Sequence, residues 1–315
     1  MRKRILSLII IAIIFFSLFS LSSVKAGKSA PADPWGQKEV LNYLFWTADP
    51  KLEQDVIKLQ KDLGLDDVTI GKLKELGLEE RLNIGKLDHG ETLESLSVND
   101  FNNKLAAVFA NIDSETRNVL GSKYNDFRKW IRNWWNDENE YREKWIAEQM
   151  QKQSSILSDY NRGLVFATQY NGYTSSEVAL PDKYVKFANL GWWNNIPSAI
   201  RPRYSNPPYT VNVYYDVTNK SVLNVTVREV GPWNEDDNYW DSANGSNPRR
   251  LFTDLPLGKP EAQAAYQQGY NGGKDQFRRT VSNPAGIDLT PYIASQLSLG
   301  YMQNAWVWVN YSNLP

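Results

Sequence analysis

The segment Ser221-Val222-Leu223-Asn224-Val225-Thr226-Val227-Arg228-Glu229-Val230-Gly231-Pro232 alternates between apolar and polar side chains. This period of two is typical of a β-strand with one buried face. Leu223, Val225 and Val227 share the apolar face, and Glu229 comes at its end. Because Gly231-Pro232 stops the strand, we expect the Glu229 carboxylate at the rim of a β-domain rather than in the middle of its core.

Other segments of the C-terminal half have the same character. They are rich in β-branched and aromatic residues and lie between clusters of Gly, Pro and Asn. This composition favours strands. Together with the quoted segment, the predicted strands are residues 165–170, 184–189, 209–217, 221–230 and 305–310. Thr218-Asn219-Lys220 separates two of them and predicts the tip of a hairpin.

The chain between Pro50 and Pro181 contains no proline and has a helical period instead. Asp49-Pro50 predicts the start of a helix and Gly64 its end. Its apolar face consists of Leu52, Val56, Leu59 and Leu63. Leu76-Gly77 repeats the Leu63-Gly64 pattern, so Gly77 predicts a second stop and a series of short helices.

Two further helices are predicted downstream, one beginning after Ser97 and a long one over residues 114–151. The long helix carries an aromatic stripe at steps of three and four residues: Tyr124, Phe127, Ile131, Trp134, Tyr141 and Trp145. Such a stripe forms a core or docks on a membrane or partner. The opposite face is mixed in charge rather than basic, which favours the core.

The change of period from helix to strand predicts an α+β protein with a helical domain at residues 27–158 and a β-domain at residues 159–315. The linker should lie within residues 151–162. Limited proteolysis is therefore expected to leave a stable fragment that begins near Asn161.

The first 26 residues have the three parts of an export signal. Arg2, Lys3 and Arg4 precede an apolar run from residue 5 to about 21, and Val24-Lys25-Ala26 offers small residues for cleavage. We expect cleavage before Gly27, which predicts a secreted or cell-wall-associated protein without integral membrane association. An uncleaved membrane anchor is the alternative.

Charge and composition limit the function classes. Loss of the four cations in the signal changes the formal charge from −1 to −5, which disfavours nucleic acid as a partner. With no cysteine there is neither a disulfide nor a thiolate site, and the single histidine, His89, is expected in a loop. No cofactor and no metal is predicted, so any catalysis must use carboxylates.

Asp288 and Glu229 are the candidate carboxylates at the edge of the predicted core. Asp288 lies between Ile287 and Leu289 and precedes a short helix whose expected cap is Thr290. Both carboxylates have simpler structural roles, Asp288 as part of that cap and Glu229 as a strand-end acceptor of backbone amides. A partly desolvated position would instead raise the pKa of either one and make it a candidate acid.

The segment Trp233-Asn234-Glu235-Asp236-Asp237-Asn238-Tyr239-Trp240-Asp241 mixes aromatic rings with amides and carboxylates, as sugar-binding surfaces do. Trp192-Trp193-Asn194-Asn195 has the same composition. The predicted glycan contacts are Trp233, Tyr239, Trp240, Trp192 and Trp193, and they are expected to flank one groove with Asp288. Two alternatives remain: the rings pack in the core, and Asp236, Asp237 and Asp241 bind calcium.

A family resemblance rests on four pieces of the β-region. They are Val225-x-Val227-x-Glu229-x-Gly231-Pro232, Gly286-Ile287-Asp288-Leu289-Thr290, Leu299-Gly300 and Trp306-Val307-Trp308-Val309. Together they resemble the double-psi β-barrel of the rare lipoprotein A and expansin group. In this chain Glu229-Val230 stands where that group has Asp-Arg, and residues 233–285 replace a short connection.

The resemblance implies a six-stranded barrel that holds a glycan in an open groove, with peptidoglycan as the expected partner. In the lytic transglycosylases of that group the aspartate of the Asp-Leu-Ser/Thr motif is the acid, which corresponds to Asp288 here. Glu229 or Asp236 would then be the second carboxylate. A non-catalytic glycan-binding or wall-loosening module and a structural protein of the cell or spore surface are the other two function classes.

Overall fold

The computed structural model describes residues 33–87, 96–156, 161–241 and 250–315. It is an α+β protein in which a helical N-terminal region is followed by a closed β-barrel. The α-helices are α1 (Val40–Trp46), α2 (Pro50–Leu63), α3 (Asp67–Gly85), α4 (Val98–Leu120), α5 (Tyr124–Ile156), α6 (Lys183–Asn189), α7 (Glu261–Gln268) and α8 (Pro291–Gln296). The predicted export signal and His89 lie outside the described residues.

Helix α2 confirms its predicted start and end. The Asp49 carboxylate accepts hydrogen bonds from the amides of Lys51 and Leu52, and Gly64 ends the helix in the left-handed conformation. The second predicted stop is wrong, because α3 continues through Gly77. A β-carbon at this position would lie 2.9 Å from the Leu41 backbone, so glycine here allows α1 to pack closely against α3.

The predicted helix after Ser97 is confirmed as α4, with the Ser97 hydroxyl accepting from the Asp100 amide. The predicted helix over residues 114–151 is in fact two helices. Its first residues belong to α4, which ends before Gly121, where the backbone takes φ = 54°. Helix α5 then buries Tyr124, Phe127, Ile131 and Trp134, which confirms that most of the aromatic stripe is core.

The barrel consists of β1 (Arg162–Gln169), β2 (Glu177–Leu180), β3 (Thr210–Tyr215), β4 (Lys220–Val230), β5 (Ala285–Leu289) and β6 (Ala305–Asn313). The strands close in the order β1-β5-β2-β4-β3-β6. Two neighbouring pairs, β1 with β5 and β2 with β4, are parallel, and the other four pairs are antiparallel. The predicted hairpin at residues 218–220 joins β3 to β4.

Four of the five predicted strands are confirmed as β1, β3, β4 and β6. Residues 184–189 were predicted as a strand but form α6, because Asp182 accepts hydrogen bonds from the amides of Tyr184 and Val185 and so caps a helix. Strands β2 and β5 were not predicted. All their residues are buried, so their sequences lack the alternation of a half-exposed strand.

Two apolar clusters hold the protein together. One fills the barrel, and the other is shared by the helices and the outer face of the barrel. In the shared cluster Tyr43 of α1 stacks on Phe166 of β1 with ring centroids 5.5 Å apart, and Trp145 of α5 meets the edge of Trp306 of β6 at 6.2 Å. The helical region and the barrel therefore contact each other through aromatic packing. The domain boundary predicted at residue 158 lies outside the described residues.

Among the described segments, no helix is both long enough and apolar enough to cross a bilayer.

Candidate functional site

Asp288 lies in β5, where Ile287 and Leu289 belong to the apolar cluster inside the barrel. Because neighbouring residues of a strand point to opposite faces, the Asp288 side chain points away from that interior. It is nevertheless buried, with 1% of its surface exposed. The Thr168 hydroxyl of β1 donates a hydrogen bond to its carboxylate.

Glu229 lies on β4, and β2 separates it from Asp288. Ala179 of β2 is paired with Asp288 on one side and with Glu229 on the other, so the three residues form a row across the sheet. Strands β4 and β5 are therefore not neighbours, and the two backbones lie about 10 Å apart, two strand spacings. Paired residues share a face, so both carboxylates are on the same side of the sheet.

The Glu229 carboxylate is held at the strand end by two contacts. It accepts a hydrogen bond of 2.8 Å from the Val230 amide and forms an ion pair with Lys186 of α6. Its side chain is 16% exposed and that of Lys186 is 8% exposed. The strand-end position predicted for Glu229 is thus observed, with a partner cation that the sequence did not indicate.

Glu177, at the start of β2, is a third carboxylate at this edge and was missed in the sequence. It is fully buried and accepts hydrogen bonds from the amides of Tyr173 and Thr174 at 2.6 and 3.0 Å. The Tyr170 hydroxyl donates to it at 3.3 Å. A β-carbon on Gly172 would lie 2.3 Å from the carboxylate, so this tight loop requires glycine.

Tyr170 connects the three carboxylates, which together we call the carboxylate edge (Glu177, Glu229 and Asp288). Burial raises the pKa of the Tyr170 hydroxyl well above its usual value, and the negative charges of all three carboxylates raise it further. Tyr170 therefore remains a neutral hydrogen-bond donor among acceptors. Of the three carboxylates only Glu229 is partly exposed, so it is the one that a hydroxyl or amide group of a ligand can reach.

Two exposed rings stand next to this edge, and we call Tyr173 and Trp192 the aromatic pair. Tyr173 is 68% exposed and Trp192 is 46% exposed. The Lys186 ammonium lies 5.6 Å from the centre of the Tyr173 ring and 6.0 Å from that of Trp192. Residues 191–195 line an open depression of about 580 Å³ at this position.

Three of the five predicted glycan contacts are buried instead. Trp233 meets the edge of Phe101 in α4 and donates from its indole nitrogen to the Asn283 side chain at 3.0 Å. Tyr239 is fully buried and Trp240 stacks on Tyr311 in the barrel cluster. The shared groove predicted for both segments is therefore wrong, because the rings of Trp233, Tyr239 and Trp240 have no face available to a ligand.

Trp193, the fifth predicted contact, is partly buried against the barrel cluster. Asp236, the third candidate carboxylate, forms an ion pair with Lys183 at 3.0 Å, one helical turn from the Lys186 that binds Glu229. Asp237 and Asp241 make separate contacts, with the Glu261 amide and Arg203 respectively. These different partners do not support the calcium alternative.

Weak sequence signals existed for the residues that were missed. Tyr170 is the last residue of a predicted strand and Gly172 follows it closely, and Glu177 follows four residues that its carboxylate organises into a turn. Lys186 had no signal, because the segment that carries it was predicted as a strand. In the described part of the chain, no group of three or more His, Cys, Asp or Glu side chains is arranged to hold a metal ion.

Comparisons with known proteins give one match. Neither the curated proteins nor the solved structures include a significant relative. A family model described as "Domain of unknown function (DUF8814)" matches residues 152–310, which cover the end of α5 and nearly all of the barrel. As this match spans slightly more than half of the chain, the protein belongs to the DUF8814 family.

Proposed function

We propose that the protein is an exported glycan-binding protein of the double-psi β-barrel type, and that its ligand is a cell-wall polysaccharide such as peptidoglycan. The observation that carries this proposal is the aromatic pair, two exposed rings that both lie near the ammonium group of the Lys186–Glu229 ion pair. Aromatic faces pack against the apolar faces of sugars, and charged groups beside them bind hydroxyls.

The barrel topology supports the double-psi assignment. The closed barrel has six strands with two parallel pairs, and three of the four resemblance motifs fall on β4, β5 and β6, while Leu299-Gly300 lies between α8 and β6. Export is proposed from residues 1–26 alone, whose charged, apolar and small-residue parts match a signal peptide.

Burial of Asp288 favours binding over cleavage. A general acid must reach the glycosidic oxygen within hydrogen-bond distance, but Asp288 is only 1% exposed. Glu229 is more accessible and is neutralised by Lys186. The aromatic pair, in contrast, is open to a ligand without any rearrangement.

Incubation of residues 27–315 with purified peptidoglycan, followed by sedimentation and analysis of the supernatant, tests the proposal. We expect the protein to sediment with the polysaccharide and no soluble fragments to appear. If the protein remains entirely in the supernatant, peptidoglycan is not its ligand.

Lytic cleavage with Asp288 as the acid is the second candidate, favoured by the convergence of three carboxylates near Tyr170. Cleavage predicts anhydro-muropeptides in the supernatant, and Asp288→Asn should abolish them while leaving sedimentation nearly unchanged. For a binding module this substitution changes affinity only modestly, and for a purely structural role it lowers the melting temperature instead.

A further inference from the structure

A cavity of about 250 Å³ lies between the helical region and the segment that follows α7. Its walls come from three places in the chain. Gly36, Gln37 and Lys38 precede α1, Asn102 to Phe109 belong to α4, and Gly272 to Lys274 with Thr280 complete the lining. None of these elements carries a residue of the candidate glycan site.

Two ammonium groups line the cavity, those of Lys38 and Lys274, and we call it the two-lysine pocket. Lys38 donates to the carbonyl oxygens of Val281 and Ala265 at 2.8 and 3.5 Å, and Lys274 donates to the Thr280 hydroxyl at 2.6 Å. These partners are all uncharged. Within the described ranges neither lysine forms an ion pair, and no lining residue is acidic.

We propose that the two-lysine pocket binds a small organic oxyanion, with its carboxylate or equivalent group between Lys38 and Lys274. Two like charges in one partly buried cavity repel each other, and a bound anion would offset both of them. Lysines that form no direct ion pair in a concave site are typical of anion binding.

The apolar part of the pocket lining determines which non-ionic part of the ligand fits. Leu105, Ala106 and Phe109 of α4 form an apolar wall opposite the lysines. Gly273 has φ = 72°, and a β-carbon there would lie 3.8 Å from the Lys38 nitrogen, so glycine leaves the space next to the amine open. An anion with a short aliphatic chain therefore fits better than a bare inorganic anion.

Protonation of Lys38 links this binding to pH. Burial lowers the pKa of Lys38 to about 7, Lys274 lowers it as well, and Glu261 of α7 opposes the shift. The uncharged Tyr266 ring of α7 is the other group that faces the amine, at 5.2 Å. Burial raises the pKa of Glu261 to about 8, so on going from pH 6 to pH 8 Lys38 loses positive charge while Glu261 gains negative charge. Both changes weaken anion binding.

Isothermal titration calorimetry of the mature protein with butyrate and with sulfate, at pH 6 and at pH 8, tests the proposal. Both probes keep a fixed charge over this range. We expect butyrate to bind more tightly than sulfate, and its affinity to fall by about tenfold between the two pH values, as a change in Lys38 charge around a pKa near 7 requires.

Two variants and one control locate the binding. Lys274→Gln removes one ammonium, and Ala106→Phe fills the mouth of the pocket from an exposed position without altering either lysine. Both should weaken butyrate at least tenfold, whereas Lys104→Gln, an exposed lysine of the same helix, should not change it. Circular dichroism and melting temperature verify that each variant is folded. Absence of butyrate binding in the wild type, or equal affinity in all three variants, would overturn the proposal.

Discussion

The segment at residues 233–240 and the aromatic pair have similar composition but opposite surroundings. In the segment, Trp233, Tyr239 and Trp240 are at most 7% exposed, whereas Tyr173 and Trp192 are 68% and 46% exposed. Both regions combine aromatic rings with charged or amide side chains, as sugar-binding surfaces do. The comparison shows that composition identifies candidates for glycan contacts, and that only packing decides which of them can meet a ligand.

The helical region and the barrel core together are the physical reason for the difference. Phe101 of α4 covers Trp233, and Arg279 donates to the Trp233 carbonyl, so the start of the segment is fixed between the helices and the barrel. Tyr239 continues into the barrel cluster, where its hydroxyl contacts the Gly286 carbonyl at 2.8 Å. In the described ranges the aromatic pair is contacted from one side only, by Lys186 and by the Phe187 ring at 5.9 Å from that of Trp192, and both rings keep an exposed surface.

Among substitutions in the segment at residues 233–240, Trp233→Ala is expected to have the largest effect. It should lower the free energy of unfolding by about 3–5 kcal/mol, because a buried indole is replaced by a cavity and the Asn283 side chain loses its donor. Chemical denaturation measures this, with Trp192→Ala as a control that removes the same side chain from the surface. Equal stability losses in the two variants would contradict the different burial of the two tryptophans.

Asp237, in the same segment, should make stability depend on pH. Burial raises its pKa to about 7 in the folded state, so the folded protein binds a proton more tightly than the unfolded chain. The contribution of Asp237 to the free energy of unfolding is therefore fully present below about pH 4. It is lost as the pH rises through 7, by on the order of 3 kcal/mol.

Unfolding measured at pH 5 and pH 8 tests this prediction. Asp237→Asn keeps the acceptor for the Glu261 amide and should remove much of the difference between the two pH values. The matched substitution Asp67→Asn at an exposed site should leave the difference intact. If both variants keep the full dependence, Asp237 is not its source.

Tyr239→Phe tests the inner end of the segment with a smaller effect. The variant keeps the ring but loses the hydroxyl, which contacts the Gly286 carbonyl and the Tyr311 hydroxyl. We expect a loss of about 1–2 kcal/mol of unfolding free energy and no change in sedimentation with peptidoglycan. Weaker sedimentation at unchanged stability would mean that Tyr239 contacts the ligand after all.

The sequence predicted the parts of the fold whose pattern is local. Strand β4 alternates from Val225 to Glu229, and α2 has both its cap and its terminal glycine. Leu223, predicted for the buried face of β4, is instead 56% exposed, because Asn224 takes a positive φ of 56° and interrupts the alternation. Strand β5 could not be recognised because all five of its residues are buried, and the face opposite Ile287 and Leu289 carries only Gly286 and the buried Asp288. Gly77 was misread because its role, contact with the Leu41 backbone, depends on a neighbouring helix.

The candidate site was predictable only in part for the same reason. Asp288 and Glu229 were found from their positions at strand edges, and the structure places both on one side of the sheet. Glu177 and Lys186 come from other segments, and their contacts with this edge depend on tertiary packing that no sequence period encodes. Trp192 was identified by composition alone and is one of two predicted rings that retain exposure.

The most direct test of the proposed function is the affinity of the double variant Tyr173→Ala/Trp192→Ala for peptidoglycan, measured by sedimentation of the mature protein. We expect binding at least tenfold weaker than in the wild type, because both rings that stack on sugars are removed, and a stability change within about 0.5 kcal/mol, since both side chains are largely exposed. Tyr141→Ala, a 39% exposed ring on α5, is the control and should bind like the wild type. Wild-type affinity in the folded double variant would contradict the assignment of the aromatic pair as the glycan site.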